Sequence, residues 1–378
     1  KVDTACPLPE YPRPQLVREN WLNLNGKFEY AILPAAQKWA EKFDGEILVP
    51  FALESLLSGV EKPLSPNDRL WYRKQFSVPA SMQGKHILLH FGAVDWQCEV
   101  FINHTSVGTH TGGYCAFSLD ITDYLTDGEN ELVVCVYDPT ESGWQQRGKQ
   151  VNDTHGFWYT ATSGIWQTVW LEAVSDIYVT KLRFVPNIEG EFIEVKTEFN
   201  QEAEAEIHAT VSFENAVVFS GVIGKTAKIP LPNAVLWSPE TPNLYDISLE
   251  ILVNGVVTDT VTSYFGMRKF HIAKDEKGIV RLFLNNKPYF QKGLLDQGYW
   301  PDGGMTPPTD EAMIFDIAEM KRLGFNMLRK HIKIEPLRWY YHCDRLGMIV
   351  WQDMMSGGKY IGDFYAGVLP NIGILRVK

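Results

Sequence analysis

Residues 326–353 read NMLRKHIKIEPLRWYYHCDRLGMIVWQD, and this stretch decides the fold of the C-terminal part. NMLRKHI (326–332) reads as a strand. EPLRWYYHCDRLG (335–347) reads as a helix, with Pro336 in its first turn and Gly347 after its last. MIVW (348–351) reads as a buried strand that delivers Gln352 and Asp353 to an open loop. Upstream, FQKGLLD (290–296) is a further strand and PTDEAMIFDIAEMKRLGF (308–325) a helix. Thr309 is its N-cap, Asp310 and Glu311 load its positive end, and Gly324 ends it. Met313, Ile317 and Met320 fall on one face. Strand, helix, strand, helix, strand means parallel strands joined by helical crossovers. A complete (β/α)8 barrel takes about 250 residues, and only about 100 follow residue 271, so three strands' worth is expected. The tail IGDFYAGVLPNIGILRVK (361–378) does not supply five more.

The rest of the chain reads as β. From Trp21 to about Ala173, HILLHF (86–91), CEVFIN (98–103) and ELVVCVYD (131–138) alternate with period two. Cys98, Val100 and Ile102 share one face, as do Leu132, Val134 and Val136. Short strands at this spacing suggest a sandwich or jelly roll. A second block contains FIEVKTEF (192–199), AEIHATVSF (205–213), YDISLEILVNG (245–255) and VVTDTVTSYFG (256–266), with a hairpin at Asn254-Gly255. It fits an immunoglobulin-like sandwich crossed by the Pro-rich loop LWSPETPNLY (236–245). LFLNNKPYF (282–290) is a hairpin turning at Asn285-Asn286. Residues 1–20 are Pro-rich and read as an extended arm. Residue 1 is Lys rather than Met, which points to a removed upstream segment, a leader or a tag.

With 378 residues, two or three domains are expected. The net charge of −11, without a Lys/Arg run, argues against a nucleic-acid partner. No apolar run approaches a membrane span. Cys6, Cys98, Cys115, Cys135 and Cys343 show no metal-ligand spacing and read as mostly free thiols. The spacing leaves Cys98–Cys115 and Cys115–Cys135 bridges open. No metal or cofactor is called for. Aromatics make up 13%, with 12 Trp; they suit flat sugar rings, but most are expected to fill sandwich cores.

The motif series resembles glycoside hydrolase family 2, the β-galactosidases, β-glucuronidases and β-mannosidases. The residues that carry the resemblance are NLNGKFEY (23–30), ILVPFALESLLSGV (47–60), WYRKQFSVP (71–79), the run from His90 to Leu125, TSGIWQTVWLE (162–172), WSPETPNLYDI (237–247), YFGMRKF (264–270) and RLFLNNKPYFQKG (281–293). The resemblance implies a mostly β, multidomain chain: a jelly-roll sugar-binding β-sandwich over 1–174, an immunoglobulin-like β-sandwich over 175–271, and the first strands and helices of an incomplete (β/α)8 TIM barrel over 272–378. It also implies retaining hydrolysis of a β-glycosidic bond by two glutamates about 5–5.5 Å apart. In the family these follow the fourth and seventh barrel strands, the acid/base in an Asn-Glu pair. No Asn-Glu follows Asp353, and no glutamate follows Glu335. No catalytic residue is therefore assigned, and the chain alone is expected to be inactive. A noncatalytic carbohydrate-binding or scaffold protein is the rival reading.

Candidate sugar-binding residues lie where strands end: Asp296, Gln297 and Trp300, then Arg329 and His331, then Gln352 and Asp353. Carboxylates and guanidinium groups suit sugar hydroxyls, and Trp300 suits stacking on a ring. The alternative is an internal Arg329–Asp353 or Arg329–Asp296 ion pair bracing the mouth. The loops LLDQGYWPDGG (294–304) and RKHIKIEP (329–336) depart from the better-known members' Asn-x-His and Arg-x-x-His-Tyr-Pro patterns. The sugar therefore stays open, with galactoside as the default. The polar loop GWQQRGKQVNDTHGFWYTATSG (143–164) is expected to reach the barrel mouth with Arg147, Lys149, Gln150, Trp158 and Tyr159. A surface loop held by its own aromatics is the other reading. Three parallel strands leave an open edge and face, to be covered by the sandwiches, a partner chain or a second copy. A periplasmic or extracellular setting is favoured slightly over the cytoplasm.

Overall fold

Alternation places the N-terminal core as expected. In the computed structural model, which describes residues 2–356, Cys98, Val100, Ile102, Leu132, Val134 and Val136 are all buried. Each large apolar side chain so buried contributes about 1.5–3 kcal/mol. Two antiparallel sheets close over them. The larger has six strands, in the spatial order Gly45–Val49, Gly26–Pro34, Asp68–Ser77, Glu129–Tyr137, Gln97–Ile102, Thr105–Thr111. The smaller pairs Trp21–Asn23, Val169–Val174, His86–Phe91 and Phe117–Asp120. The large sheet is also covered outside, where Trp39 and Phe43 pack on Trp71, Val133 and Phe101.

The second β block forms a three-stranded sheet (Val179–Asn187, Phe192–Phe199, Thr226–Pro230) and a four-stranded one (Ala216–Ile223, Glu206–Phe213, Tyr245–Val253, Val256–Phe265). Ile193, Val195, Ile207, Val211, Leu249 and Ile251 fill the space between them. Both hairpin turns fall where the sequence puts them: Asn254 and Gly255 have φ 52° and 77°, Asn285 and Asn286 50° and 64°. All five cysteines are free, so neither open bridge forms.

The decisive stretch folds as a parallel sheet: β1 (Gly293–Asp296), α1 (Asp310–Arg322), β2 (Met327–Lys330), α2 (Leu337–Leu346) and β3 (Ile349–Gln352). The Thr309 hydroxyl accepts from Ala312 N at 3.2 Å, and Gly347 closes α2 at φ 78°. Pro336 is the cap before α2 rather than part of its first turn. Among the described residues the sheet has three strands and no closed barrel. The tail 361–378 lies outside them.

One expectation fails here. IVW is not a buried strand: Ile349 is 6% exposed but Trp351 is 46% exposed. Leu294, Leu328 and Val350 pack on the helices. Alternation turns Leu295, Arg329 and Trp351 to the opposite face, and all three are exposed. Ile349 is covered instead by Trp237 of the Pro-rich loop and by Leu284. The Trp237 indole N–H also donates to Asp344 O at 2.7 Å.

The N-terminal arm ties the units together. Arg13 and Arg18 both pair with Glu172 of the first sandwich, and Arg18 also with Asp259 of the second. Val17 pairs with Thr262, and Gln15 donates to Leu337 O in α2.

Candidate functional site

The loop of residues 143–164 does reach the strand ends. The amides of Arg147 and Gly148 donate to Ser356 O, just past β3, at 3.1 and 2.9 Å. Gly148 sits at φ 58°, and a Cβ there would stand 2.9 Å from Ile332 O, so this close approach requires glycine. Tyr159 lies flat on Tyr299 from the loop after β1, with centroids 3.8 Å apart and planes at 5°. Arg147 lies over Trp158 and Lys149 over Phe157.

The stem of the loop rests on buried carboxylates. Asp138 accepts from Thr140 N and the Ser163 hydroxyl, at 2.7 and 2.8 Å, and Glu54 accepts from Ser163 N at 2.9 Å. Burial pushes the Asp138 carboxyl up to about 6 and the Glu54 carboxyl up to about 7. Burial also raises Asp95, and Asp138 adds to the shift. Among the described residues none of the three is paired with a cation.

At the strand ends, Arg329 grips Asp353 with two hydrogen bonds of 3.0 Å. His331 Nδ1 lies 2.8 Å from Asp353 Oδ2. The Arg329 guanidinium first, then His331, hold the Asp353 carboxyl below the usual range. The Arg329 side chain is half exposed, so the outer side of this cluster is open to solvent.

Other candidates lie elsewhere. Asp296 points to the helix side of the sheet, 2.8 Å from Lys330 Nζ, so the Arg329–Asp296 pair does not form. Trp300 packs among the helix side chains around Met313 and Ile317 and offers no ring to the Asp353 cluster. Gln150 is 1% exposed; its amide donates to Asp95 and the Tyr114 hydroxyl, and its oxygen accepts from Thr162 N. That leaves nothing for a sugar. Gln352 is likewise held by Lys333 O and the Tyr340 hydroxyl. Gln297 keeps a buried oxygen without a protein partner. Sequence reading missed Tyr299, one residue from Trp300 in GYW, and the buried Lys330, Lys333 and Glu335 behind it. Among the described residues no group of three or more His, Cys, Asp or Glu stands in metal-holding range. No helix there is long and apolar enough to cross a membrane.

The family model "Glycosyl hydrolases family 2, sugar binding domain" matches residues 11–174, and "Glycosyl hydrolases family 2" matches 187–268. A β-galactosidase of Thermoanaerobacter pseudethanolicus is 28% identical over 309 residues, 78% of this chain and 40% of that protein. A putative β-glucuronidase of Formosa agariphila is 28% identical over 311 residues, 75% of this chain and 34% of that one. The chain thus spans 40% or less of the length of these relatives. Ruminococcus gnavus β-glucuronidase in complex with D-glucuronic acid superposes with TM-score 0.76 at 20% identity, over 93% of this chain and 63% of that one. The β-D-glucuronidase of Dictyoglomus thermophilum does so with TM-score 0.76 at 20% identity, over 94% and 61%.

Proposed function

The chain belongs to glycosyl hydrolases family 2, and from that membership we propose that the strand ends at Arg329, His331 and Asp353, with the 143–164 loop, form a bay that binds the sugar of a β-glycoside. Galactoside is the default ligand and glucuronide the second choice. The observation that carries this is the hydrogen bonding of the 143–164 loop to Ser356 O, three residues past Asp353, on whose carboxylate Arg329 and His331 converge. Arg329 and Asp353 already hold each other in a bidentate pair. The donors and acceptors left over at its exposed rim are preorganised for vicinal hydroxyls. Trp158 and Tyr159, the latter backed by Tyr299, supply flat apolar surface for a ring face, and Arg147 stands beside Trp158.

In this reading the chain divides at 1–174, 175–271 and 272–378. Its last part is the first three strands of a (β/α)8 barrel whose active face is the C-terminal one. Hydrolysis with retention needs an acid/base and a nucleophile about 5–5.5 Å apart. No Asn-Glu follows Asp353 and no glutamate follows Glu335 in these 378 residues. The residues given therefore bind and orient the sugar, and the bond is broken by groups that they do not include.

The test is an assay of this 378-residue chain on aryl β-galactosides and β-glucuronides, paired with calorimetric titration of unreactive thioglycosides. Binding without turnover is expected. Turnover at ordinary enzyme rates that persists through further purification overturns the inactivity, and absent binding overturns the bay. Reading the gene past Lys378 separates the rival: a frame continuing into an Asn-Glu pair favours the enzyme over a noncatalytic binding protein.

A further inference from the structure

We propose that Lys333 is a positioning residue of the bay: its ammonium ties the loop 297–306 closed and thereby fixes the Tyr299 ring on which Tyr159 lies. The sugar role of that wall rests on the reading above.

Lys333 is 1% exposed. It follows Ile332, whose φ of 44° is far outside the usual range for a β-branched residue. That reversal lets His331 turn to Asp353 in the bay while Lys333 turns into the interior. An ammonium has three protons, and three acceptors meet them. They are the carbonyl of Gly298, the carbonyl of Met305 at 2.7 Å and Glu335 Oε1 at 2.9 Å. The two carbonyls stand at opposite ends of one loop, so a single side chain closes it. No proton remains for a substrate, and Lys333 therefore acts through the loop.

The surroundings are fitted to this tie. Lys330 Nζ shares Glu335 Oε1 at 2.7 Å, meets Asp296 at 2.8 Å and lies over the Trp339 ring. Two ammonium groups thus face two carboxylates, which offsets much of the cost of burying them. Gly298 adopts φ 66°, and a Cβ there would stand 2.1 Å from Glu335 Oε1 and 2.9 Å from each lysine Nζ. An apolar residue at 333 would fill the space but leave two carbonyls without a donor.

The rest of the loop carries the position outward. Trp300 and Gly304 exchange backbone hydrogen bonds of 2.7 and 3.0 Å, Leu57 N donates to Asp302 O, and the Thr306 hydroxyl donates to Trp166 O. Tyr299 stands between the Gly298 tie and this docked part, and its only aromatic stack among the described residues is with Tyr159 of the 143–164 loop.

Hydrogen exchange on the 378-residue chain tests this, comparing wild type with Lys333→Met and Tyr299→Ala. Lys333→Met is expected to speed exchange about tenfold or more in both 297–306 and 143–160, leaving the strands His86–Phe91 and Tyr245–Val253 unchanged. Tyr299→Ala is expected to loosen 143–160 while the tie itself persists. Exchange within roughly twofold of wild type in either segment of Lys333→Met overturns the proposal. Should Lys333→Met lose sandwich protection as well, Gly298→Ala, which drives a methyl into Glu335, decides on the same criterion. Titration with a phenyl thio-β-galactoside and a phenyl thio-β-glucuronide adds the functional arm. Loosened loops with weakened binding support the positioning role. Loosened loops with unchanged affinity overturn it for the bay. If wild type binds neither sugar, the function proposed above falls, and the exchange data still judge the tie.

Discussion

Arg329 and Asp353 are joined across neighbouring parallel strands by two hydrogen bonds of 3.0 Å, and His331 reaches the same carboxylate. The pair is open to water, so screening leaves it little part in holding the fold. Its order serves what docks beside it. Arg329→Ala is expected to weaken thioglycoside binding by about tenfold or more while barely moving the melting temperature. Equal affinity of mutant and wild type in calorimetry would place the sugar elsewhere.

Arg18 behaves differently because it is sealed in. Its side chain is 4% exposed, with Glu172 at 0% and Asp259 at 5%. Arg18→Ala leaves buried Asp259 without a cation, while Glu172 keeps Arg13, and is expected to cost about 3–5 kcal/mol in urea unfolding. Burial alone would raise the Glu172 carboxyl, but His90, Arg13 and Arg18 overcome it and hold it well below the 4.5 usual for a free glutamate. A lowered folded value means stability that is complete above the unfolded carboxyl's range and lost as pH falls below it. Urea midpoints at pH 7 and pH 3.5 should therefore differ less in Arg18→Ala than in wild type, His90 and Arg13 keeping part of the shift.

Glu54 has the opposite sign. Its folded carboxyl is raised to about 7 from 4.5, so the folded state holds the proton more firmly than the unfolded one. Stability is then lost as pH rises from about 4.5 through 7. Glu54→Gln removes that loss. It should match wild type near pH 5 and exceed it by ~2 kcal/mol at pH 8, read by chemical unfolding at the two pH values.

Trp351 and Leu295 leave one face of the three-stranded sheet uncovered among the described residues. The isolated chain is expected to self-associate through that face. Trp351→Lys should shift sedimentation velocity toward monomer at concentrations where wild type forms larger species.

The periodic parts were legible. Alternation gave the sandwich faces, Asn-Gly and Asn-Asn gave the hairpins, and Thr309 and Gly347 gave the helix ends, since each rule acts within a few residues. The site was only partly legible, because side-chain direction past a strand end depends on single backbone reversals. Gly298 and Ile332 each have positive φ. Beyond them the parity of the strand no longer holds, so it is Tyr299 that meets the 143–164 loop, where Trp300 was the expected aromatic. Lys330 and Lys333 were missed for another reason. Lysine belongs at the surface unless acceptors enclose it, and those acceptors come from residues up to 35 positions away.

The arm has a consequence for the order in which the protein is made. Tyr11 leaves the ribosome early, yet its carbonyl accepts a hydrogen bond from Arg338, 327 residues later. Arg18 must likewise wait for Glu172 and then Asp259, 154 and 241 residues on. Both sandwiches can fold as they emerge, while the pairing of the arm is completed only when nearly all of the described chain has been synthesised. The buckle that joins the three units thus closes last, although it is translated before any of them.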